Sequence, residues 1–213
     1  VEKEYPAEKS VVLRYMNAIE FKGSEEDDLK YKGFLKDTSI REGARIFYLM
    51  DYKGVEIYVL DETSLMHSRT LKSIDACVSI AHCRLLGWNR VVLESGGNTG
   101  TAFTEYGQKA GIETFLFIPR DNLQLLNSKS FSSPKSHLIV VERAGEVKKA
   151  ARLFSALNNI PHIPHIEWRY QASMLRGLFI LEYMLSYKRF DLIAQTISAA
   201  FGPIGIYRIL MKS

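Results

Sequence analysis

Apolar positions between residues 70 and 87 recur at the spacing of a helix. The set comprises Ile74, Cys77, Val78, Ala81 and Leu85. Residues three or four positions apart lie on one face of a helix, and the glycine at position 87 is suited to end it. The same spacing returns at 101–110, 147–157 and 171–187. The pattern therefore predicts a helix with one apolar face in each of these segments.

Short apolar runs lie between and after these helices and predict strands. They are found at 91–93, 114–118, 137–141 and 192–197. Strands that are apolar on both sides are typical of a sheet covered by helices on both faces. Strand and helix alternate over short connections, which predicts parallel strands with crossover helices. The expected fold class is therefore α/β, with open parallel sheets in three αβα layers.

The pattern is weaker over residues 1–45. A short helix is expected at 10–19, and the acidic run 23–28 is expected to be a solvated loop. Two further strands are expected at 46–50 and 55–60. The turn between them is short, which predicts an antiparallel pair.

Composition narrows the range of partners. The chain has 213 residues, of which 46% are hydrophobic, and a formal net charge of +4. This charge is small and dispersed, so nucleic acid is not an expected partner. No apolar run approaches the roughly 20 residues that a membrane-spanning helix needs, so no membrane association is expected.

The two cysteines indicate a reducing compartment. Cys77 and Cys83 lie six residues apart, on different sides of the predicted helix. Free thiols in such a position are typical of intracellular proteins. No signal peptide is visible, so the expected location is cytoplasmic.

Two turns of small residues follow predicted strands and precede helices. The first has the sequence ESGGNTGT at 94–101, and the second has the sequence SAAFG at 198–202. Ligands of open α/β sheets bind at the carboxyl ends of strands, where a helix N terminus offers free N–H groups to a phosphate or carboxylate. Neither turn is a Walker A or a GxGxxG motif. Each is either an anion site or a tight turn that needs small residues.

Lys72 is the candidate nucleophile. It begins the helix predicted after residue 70, between Thr70 and Ser73. The positive end of the helix dipole disfavours a charged lysine there, which suits Schiff-base chemistry. Taken alone, the same residue is better explained as a solvated surface lysine.

The order of these features resembles the fold-type II pyridoxal-phosphate enzymes, and most of all their threonine synthase branch. The family motif Pro-Thr-Gly-Ser-Phe-Lys-Asp-Arg corresponds to 67–74, with Lys72 in register. The family loop Ser-Ser-Gly-Asn-Thr-Gly matches 95–100, and its phosphate loop Gly-Asn-Phe-Gly resembles 199–202. The likeness extends from about residue 40 to residue 213.

The resemblance implies a role for each matched residue. Lys72 would hold the cofactor, pyridoxal 5′-phosphate, as a Schiff base and would shuttle the α-proton of the substrate. Asn98 would hydrogen-bond the 3′ oxygen of the cofactor. The substrate α-carboxylate would be held by Ser95, Gly96, Gly97 and Thr99. The cofactor phosphate would be bound by Ser198, Ala199, Ala200, Phe201 and Gly202.

The chain departs from the family pattern at these motifs. Alanines at 199 and 200 replace Gly-Asn, and Arg69 and Ile74 replace the glycine and arginine of the lysine motif. Family members also continue well beyond this length, so the larger domain is expected to be incomplete. The expected division places a smaller contiguous domain, with the asparagine loop, at 73–160. Residues 1–72 and 161–213 would form the larger, phosphate-binding domain.

The implied activity is that of a lyase or synthase that acts on an amino acid by β or γ elimination or replacement. The threonine synthase branch suggests O-phosphohomoserine as the substrate, and a homodimer is the expected assembly. Two alternatives stay open: a non-catalytic binding or regulatory protein of the same fold, and a cysteine-synthase-like or amino-acid ammonia-lyase activity. No metal site is expected, because His162 and His165 have no cysteine or acidic cluster beside them. His82 is expected at the surface or its boundary.

Overall fold

The computed structural model describes residues 9–19, 21, 23–126, 128–197 and 199–211. Its α-helices are α1 (Val11–Tyr15), α2 (Glu25–Thr38), α3 (Lys72–Leu85), α4 (Asn98–Ala110), α5 (Val147–Asn158), α6 (Ile166–Ser186) and α7 (Phe201–Leu210). Its strands are β1 (Arg45–Tyr52), β2 (Val55–Asp61), β3 (Arg90–Glu94), β4 (Glu113–Pro119) and β5 (Ser136–Val141). Short 3-10 helices lie at Met16–Ala18, Arg120–Leu125, Ser128–Phe131 and Ala144–Glu146.

Strands β3, β4 and β5 form a parallel sheet in that order. Successive side chains of a strand point to opposite faces of the sheet. Val91 and Leu93 of β3 accordingly belong to the core formed with α3 and α4, whereas Val92 belongs to a second core formed with α5. Helices thus cover both faces of the sheet, and the predicted α/β class with its three layers is confirmed.

The returning chain covers the free edge of β3. The N–H of Val92 donates to the carbonyl of Pro161 at 2.8 Å, and the N–H of Ile163 donates to the carbonyl of Val92 at 2.9 Å. These bonds place His162 in a parallel bridge with Val92. An uncovered edge strand invites pairing with other chains. The segment therefore protects the sheet before it leads into α6.

The segments before and after the parallel sheet in sequence form an antiparallel strand pair and helices, and they do not form a second parallel sheet. β1 and β2 pair antiparallel as predicted, with Tyr48 opposite Tyr58. Residues 192–197, predicted as a strand, pair with no strand in the described part of the chain. A strand is stable only where a neighbour takes up its hydrogen bonds, and an apolar run by itself does not provide that neighbour. The prediction of a strand there was wrong.

The acidic run near residue 25 begins a helix and is not the solvated loop that was predicted. Ser24 caps α2 by accepting a hydrogen bond from the N–H of Asp27 at 3.1 Å. The acidic residues at 25–28 then form the first turn, where negative charge favours the helix dipole. The run therefore starts a helix because of its position after a serine cap, although its side chains stay largely in solvent.

Helix α6 packs against both α3 and α7. It begins at Ile166, five residues before the predicted start, and extends over 21 residues. An added Cβ at Gly205 would overlap Ser173 of α6, so α6 and α7 approach each other closely there. The start of α3 and the start of α7 are in this way held beside the same helix. Neither α6 nor any other helix of the described ranges has the length and apolarity that crossing a membrane requires.

Candidate functional site

Lys72 is the first residue of α3 and its side chain is partly accessible, with 23% exposed. The preceding loop turns sharply, because Arg69 adopts a left-handed conformation with φ of 52°. The N–H of Ser73 then donates to the carbonyl of Thr70 at 3.0 Å. The loop thus delivers Lys72 at the positive end of the helix, as its sequence position predicted.

The ammonium group of Lys72 faces a buried carboxylate. Its Nζ lies 3.4 Å from Oδ2 of Asp75, one turn further along α3, and Asp75 is only 3% exposed. The same Oδ2 accepts a hydrogen bond from Nη2 of Arg169 in α6 at 3.1 Å. Asp75 is therefore shared by two cations from two helices.

A second ion pair lies beside this one. Nε of Arg176, also in α6, donates to Oε1 of Glu62 at 2.5 Å, and the two side chains are 4% and 10% exposed. Burial raises the pKa of Glu62, and the charge of Arg176 offsets only part of that rise. Asp75 and Lys72 also act on this pKa, in opposite directions, so the two ion pairs form one electrostatic cluster. We call these five residues the charged cluster: Glu62, Lys72, Asp75, Arg169 and Arg176.

The charged cluster also touches the start of α7. The guanidinium of Arg169 lies over the ring of Phe201, with 4.1 Å between its Cζ and the ring centroid. Nη1 of Arg176 lies 3.0 Å from the position that a Cβ of Gly202 would occupy. A larger residue than glycine at 202 would also overlap the side chain of Gln195. The structure thus brings Lys72 and the second small-residue turn to the same cluster.

The backbone of the second small-residue turn is unfavourable for one of its residues, Ala200. Ala200 adopts a left-handed conformation with φ of 58°, directly before α7. Glycine and asparagine accept this conformation more readily than alanine does. Ala199 is exposed, and Ser198 lies outside the described residues.

The first small-residue turn lies at the carboxyl end of β3. The hydroxyl of Ser95 accepts hydrogen bonds from the N–H groups of Gly97 at 3.1 Å and of Gly100 at 2.8 Å. Gly97 has φ of 154° and ψ of −101°, a combination that essentially only glycine adopts. Asn98, predicted just outside the helix, is in fact the first residue of α4 and is exposed, as Thr99 partly is.

Outside itself, this turn forms hydrogen bonds with neighbours at the end of the sheet, such as the carbonyl of Phe117, which accepts from the N–H of Ser95 at 3.1 Å. The side-chain N–H of Asn122 donates to the carbonyl of Gly96 at 2.8 Å. Within the residues that the structure describes, no hydrogen bond or ion pair joins the turn to the charged cluster. The two regions are connected by packing, since α4 lies against α3.

Two grooves of about 510 and 610 Å³ open elsewhere on the surface. The first lies at Trp88 and Ile160, and the second at His82, Trp168 and Leu178. Neither is lined by Lys72 or by the start of α7. At the charged cluster the space is filled by the arginines themselves and by Gln195.

His82 is buried, contrary to the prediction of a surface or boundary position. Its ring lies between Tyr31 and Trp168, at centroid distances of 4.3 and 4.8 Å, and its Nε2 shares a hydrogen bond of 2.7 Å with Gln171. Burial lowers the pKa of His82 to about 4. Its position on the face of α3 that meets α6 explains the burial. His162, in contrast, is half-buried and shares a hydrogen bond with Glu94 at the end of β3.

Sequence reasoning missed Asp75, Arg169 and Arg176. The two arginines lie seven residues apart, which is two turns, on one face of α6. The residues between them on that face, Ala172 and Ser173, are small and buried. Charges on a buried face need partners, so this spacing was a signal that could have pointed to the cluster.

Comparison with known proteins gives similarity of structure alone. No protein-family model matches the sequence, and no curated protein matches it significantly. O-ureido-L-serine synthase is similar in structure with a TM-score of 0.70 and 14% identity, over 84% of this chain and 58% of that chain. Diaminopropionate ammonia lyase from Escherichia coli has a TM-score of 0.68 and 13% identity, over 88% and 57% of the two chains. The hydrogen sulfide-producing enzyme from Fusobacterium nucleatum has a TM-score of 0.61 and 20% identity, over 88% and 59%.

At these identities the likeness establishes the fold. It is the α/β fold of fold-type II pyridoxal-phosphate enzymes, as the sequence predicted. One solved form of the ammonia lyase contains an aminoacrylate–PLP azomethine reaction intermediate. The present chain spans a little more than half the length of these enzymes.

Proposed function

We propose that this protein is a pyridoxal-phosphate-dependent lyase or synthase that acts on a small amino acid. The observation that carries the proposal is the meeting of Lys72 with the start of α7 at one charged cluster. A covalent cofactor with a phosphate group needs a reachable amine and an anion site at a fixed distance from each other. The fold shared with enzymes of this class supports the same assignment.

The polar groups present are those that pyridoxal phosphate needs, once the side chain of Gln195 moves away from Gly202. Lys72 is partly exposed, so its amine is reachable. Nη1 of Arg176 is buried and has no hydrogen-bond partner among the described residues, and it lies beside Gly202 at the N terminus of α7. A helix N terminus with a nearby cation is a suitable place for a phosphate. When bound, pyridoxal phosphate supplies an electron sink for bonds that break at the substrate.

Asp75 positions the amine of Lys72, and it still has a counter-charge when that amine loses its own charge. A lysine that joins a carbonyl gives up its free ammonium group, and a buried carboxylate left alone would be costly. Asp75 keeps its ion pair with Arg169 in that event. Lys72 can therefore hold the cofactor, and later move the proton at the substrate α-carbon, without leaving Asp75 unpaired.

We assign the first small-residue turn to the substrate and the cofactor ring. Asn98, exposed at the start of α4, would reach the ring, as the resemblance implies. The N terminus of α4 favours a carboxylate, which Gly96, Gly97 and Thr99 would hold. Ser95 would act through the shape of the turn, because its hydroxyl already binds the N–H groups of Gly97 and Gly100.

Within this class the motifs favour a threonine-synthase-like reaction on O-phosphohomoserine. A second candidate is elimination or replacement at the β carbon, as in an ammonia lyase or a cysteine synthase. It is favoured by the similarity in structure to diaminopropionate ammonia lyase and O-ureido-L-serine synthase. A non-catalytic binding protein is the third, and the left-handed Ala200 in the phosphate turn favours it. A homodimeric assembly and a cytoplasmic location stay predictions.

Trapping of the cofactor tests the proposal. Purified protein with pyridoxal phosphate should turn yellow, and borohydride should fix the cofactor to Lys72, as peptide mass spectrometry would show. Lys72→Ala should abolish both signals. The matched control is Lys109→Ala, which removes an exposed lysine of α4. Equal spectra for wild type and Lys72→Ala, with no adduct on Lys72, would reject the proposal.

A substrate screen then separates the enzyme candidates. Phosphate release from O-phosphohomoserine indicates the threonine-synthase-like reaction. Ammonia release from serine or threonine indicates a lyase, and acetate release from O-acetylserine indicates a cysteine-synthase-like reaction. Trapping without turnover of any of these substrates supports the non-catalytic candidate.

A further inference from the structure

Arg176 has a hydrogen-bond donor group that the folded chain leaves unused. The residue is 3% exposed, and its Nε is taken by Glu62. Its Nη1 has no partner among the described residues. Buried donors are almost always satisfied, so an unpaired guanidinium nitrogen indicates a missing acceptor.

The unused donor lies close to the N terminus of a helix. Nη1 of Arg176 lies 3.0 Å from where a Cβ of Gly202 would be, at the second residue of α7. Helix α7 has ten residues, and in its first turn the N–H groups of Phe201 and Gly202 have no intrahelical acceptor, whereas Pro203 has no N–H and the N–H of Ile204 donates to the carbonyl of Ala200. A cation and a helix N terminus facing the same point form an anion site.

The charge of the cluster also favours an anion. Lys72, Arg169 and Arg176 are three cations, and Glu62 and Asp75 are two carboxylates. Nε of Arg169 is also buried without a partner among the described residues. One positive charge is thus in excess while the amine of Lys72 is free, and that amine belongs to a partly exposed side chain.

We propose that Arg176 binds the phosphate group of the cofactor together with the N terminus of α7. This rests on the proposed function, and it identifies how this chain holds a phosphate although Ala200 stands where the related loop has asparagine. The guanidinium takes over the donor role of that asparagine. An arginine presents paired N–H groups whose geometry matches phosphate oxygens.

Gln195 is the group that must move. Its side chain lies over Gly202, and its Oε1 is buried without a partner among the described residues. The amide is therefore poorly satisfied where it is. Gln195 lies in an irregular segment between α6 and α7, so a phosphate can displace it without disrupting a helix or strand.

The test compares Glu62→Gln with the double variant Glu62→Gln/Arg176→Gln. Both lose the ion pair: Glu62→Gln keeps the charged guanidinium of Arg176 beside a neutral amide, and the double variant removes that guanidinium as well, so the two variants differ in the guanidinium alone. Affinity is measured for pyridoxal phosphate and for pyridoxal, which lacks the phosphate. We expect the double variant to bind pyridoxal phosphate about tenfold to hundredfold more weakly than Glu62→Gln does, the range of a charge-assisted hydrogen bond. Pyridoxal should bind equally to both.

Two outcomes would overturn the inference. One is equal affinity of the two variants for pyridoxal phosphate, and the other is an equal loss for pyridoxal, which would indicate a general structural role. Should the double variant fail to fold, Arg176→Lys serves instead, because it keeps the charge beside Glu62 and removes the paired N–H groups. It should show a smaller loss that is again confined to pyridoxal phosphate, and an unchanged affinity would overturn the inference.

Inorganic phosphate separates this inference from the proposed function. Phosphate should raise the melting temperature of wild type and of Glu62→Gln, and not that of the double variant. If borohydride traps nothing on Lys72 while phosphate still stabilises in this way, the anion site stands and the proposed function fails. If Lys72 is trapped equally well in both variants at limiting pyridoxal phosphate, the function stands and the role of Arg176 fails.

Discussion

The carboxylate of Asp75 accepts a hydrogen bond from Nη2 of Arg169 at 3.1 Å, across the contact between α3 and α6. Asp75 is 3% exposed and lies at the N-terminal end of α3, where a negative charge is favoured. Lys72 adds its ammonium group from the partly exposed side at 3.4 Å. The buried carboxylate therefore depends on Arg169 for its charge balance, and Lys72 is left available for chemistry.

Removal of Lys72 and removal of Asp75 should accordingly have unequal effects on stability. Lys72→Met leaves the Asp75–Arg169 pair in place and should cost about 1 kcal/mol or less, as for partly exposed ion pairs. Asp75→Asn leaves Arg169 buried without a counter-charge and should cost about 3 kcal/mol or more. Urea unfolding of the two variants measures both values. A larger loss for Lys72→Met would contradict this division of roles.

The stability of the fold should fall on acidification because of His82. Burial lowers the pKa of His82 to about 4 in the folded protein, whereas in the unfolded chain it is near the ordinary value of 6.5. On acidification the unfolded chain therefore binds the proton first. The stability that neutral His82 contributes is complete above the pKa of the unfolded chain, and it is lost as the pH falls towards the pKa of the folded protein. Between about pH 7.5 and pH 4.5 the loss should be about 2.5 kcal/mol.

The comparison variant for this prediction is His82→Phe. It keeps an aromatic ring between Tyr31 and Trp168 and removes the titrating group. Denaturant unfolding at several pH values should give a shallower pH dependence for this variant than for wild type. The difference between the two curves isolates His82 from the carboxylates that titrate in the same range. Parallel curves would show that His82 does not carry the effect.

Ala200 offers a stabilising substitution. Its φ of 58° is unfavourable for alanine by about 1 kcal/mol relative to glycine. Ala200→Gly should therefore raise the free energy of unfolding by up to about 1 kcal/mol, partly offset by the greater freedom of glycine in the unfolded chain. Ala199→Gly is the control, since Ala199 has no positive φ and the added freedom should only destabilise. A thermal unfolding scan in which both variants lose stability equally would refute the strain at Ala200.

Arg69 and Ala200 show that the resemblance of the motifs predicted the backbone turns of the site. Both stand where the resembling motifs have residues that accept a left-handed backbone, and both adopt that backbone here, with φ of 52° and 58°. The turns were thus predictable from the order of small residues around them. The parallel sheet was predictable for a related reason, because the alternation of short apolar runs with helical spacing is a local property of the chain.

Contacts between distant segments were not predictable in this way. The Glu62–Arg176 pair joins residues far apart in sequence, and nothing local identifies the partner of a charge on a buried helix face. The burial of His82 depends on Trp168 of α6 for the same reason. The strand predicted at 192–197 failed because strand formation depends on a neighbour that a local pattern does not contain. The division into 73–160 and its flanks stays a prediction.

Tyr106 should contribute strongly to stability through a buried carboxylate. Its hydroxyl donates to Oε1 of Glu42 at 2.5 Å, and Glu42 is fully buried. Glu42 also accepts from Ser10 and Ser39, each at 2.5 Å. Tyr106→Phe keeps the ring and removes one donor from a charged acceptor, which should cost about 1.5–3 kcal/mol. Tyr207→Phe, at an exposed position of α7, should change the free energy of unfolding by less than about 0.5 kcal/mol.

Neighbouring glycines of the first turn should respond differently to the same substitution. Gly97 has φ of 154° and ψ of −101°, so an alanine there is strained whatever space surrounds it. Gly97→Ala should lower the free energy of unfolding by about 1–3 kcal/mol. A Cβ at Gly96 would meet only the side-chain nitrogen of Asn122, at 2.9 Å, and that side chain can move. Gly96→Ala should therefore cost much less, and the two variants measured side by side in urea distinguish backbone strain from crowding. If Gly96→Ala proved the more damaging, the turn would depend on its contact with Asn122 rather than on the conformation of Gly97.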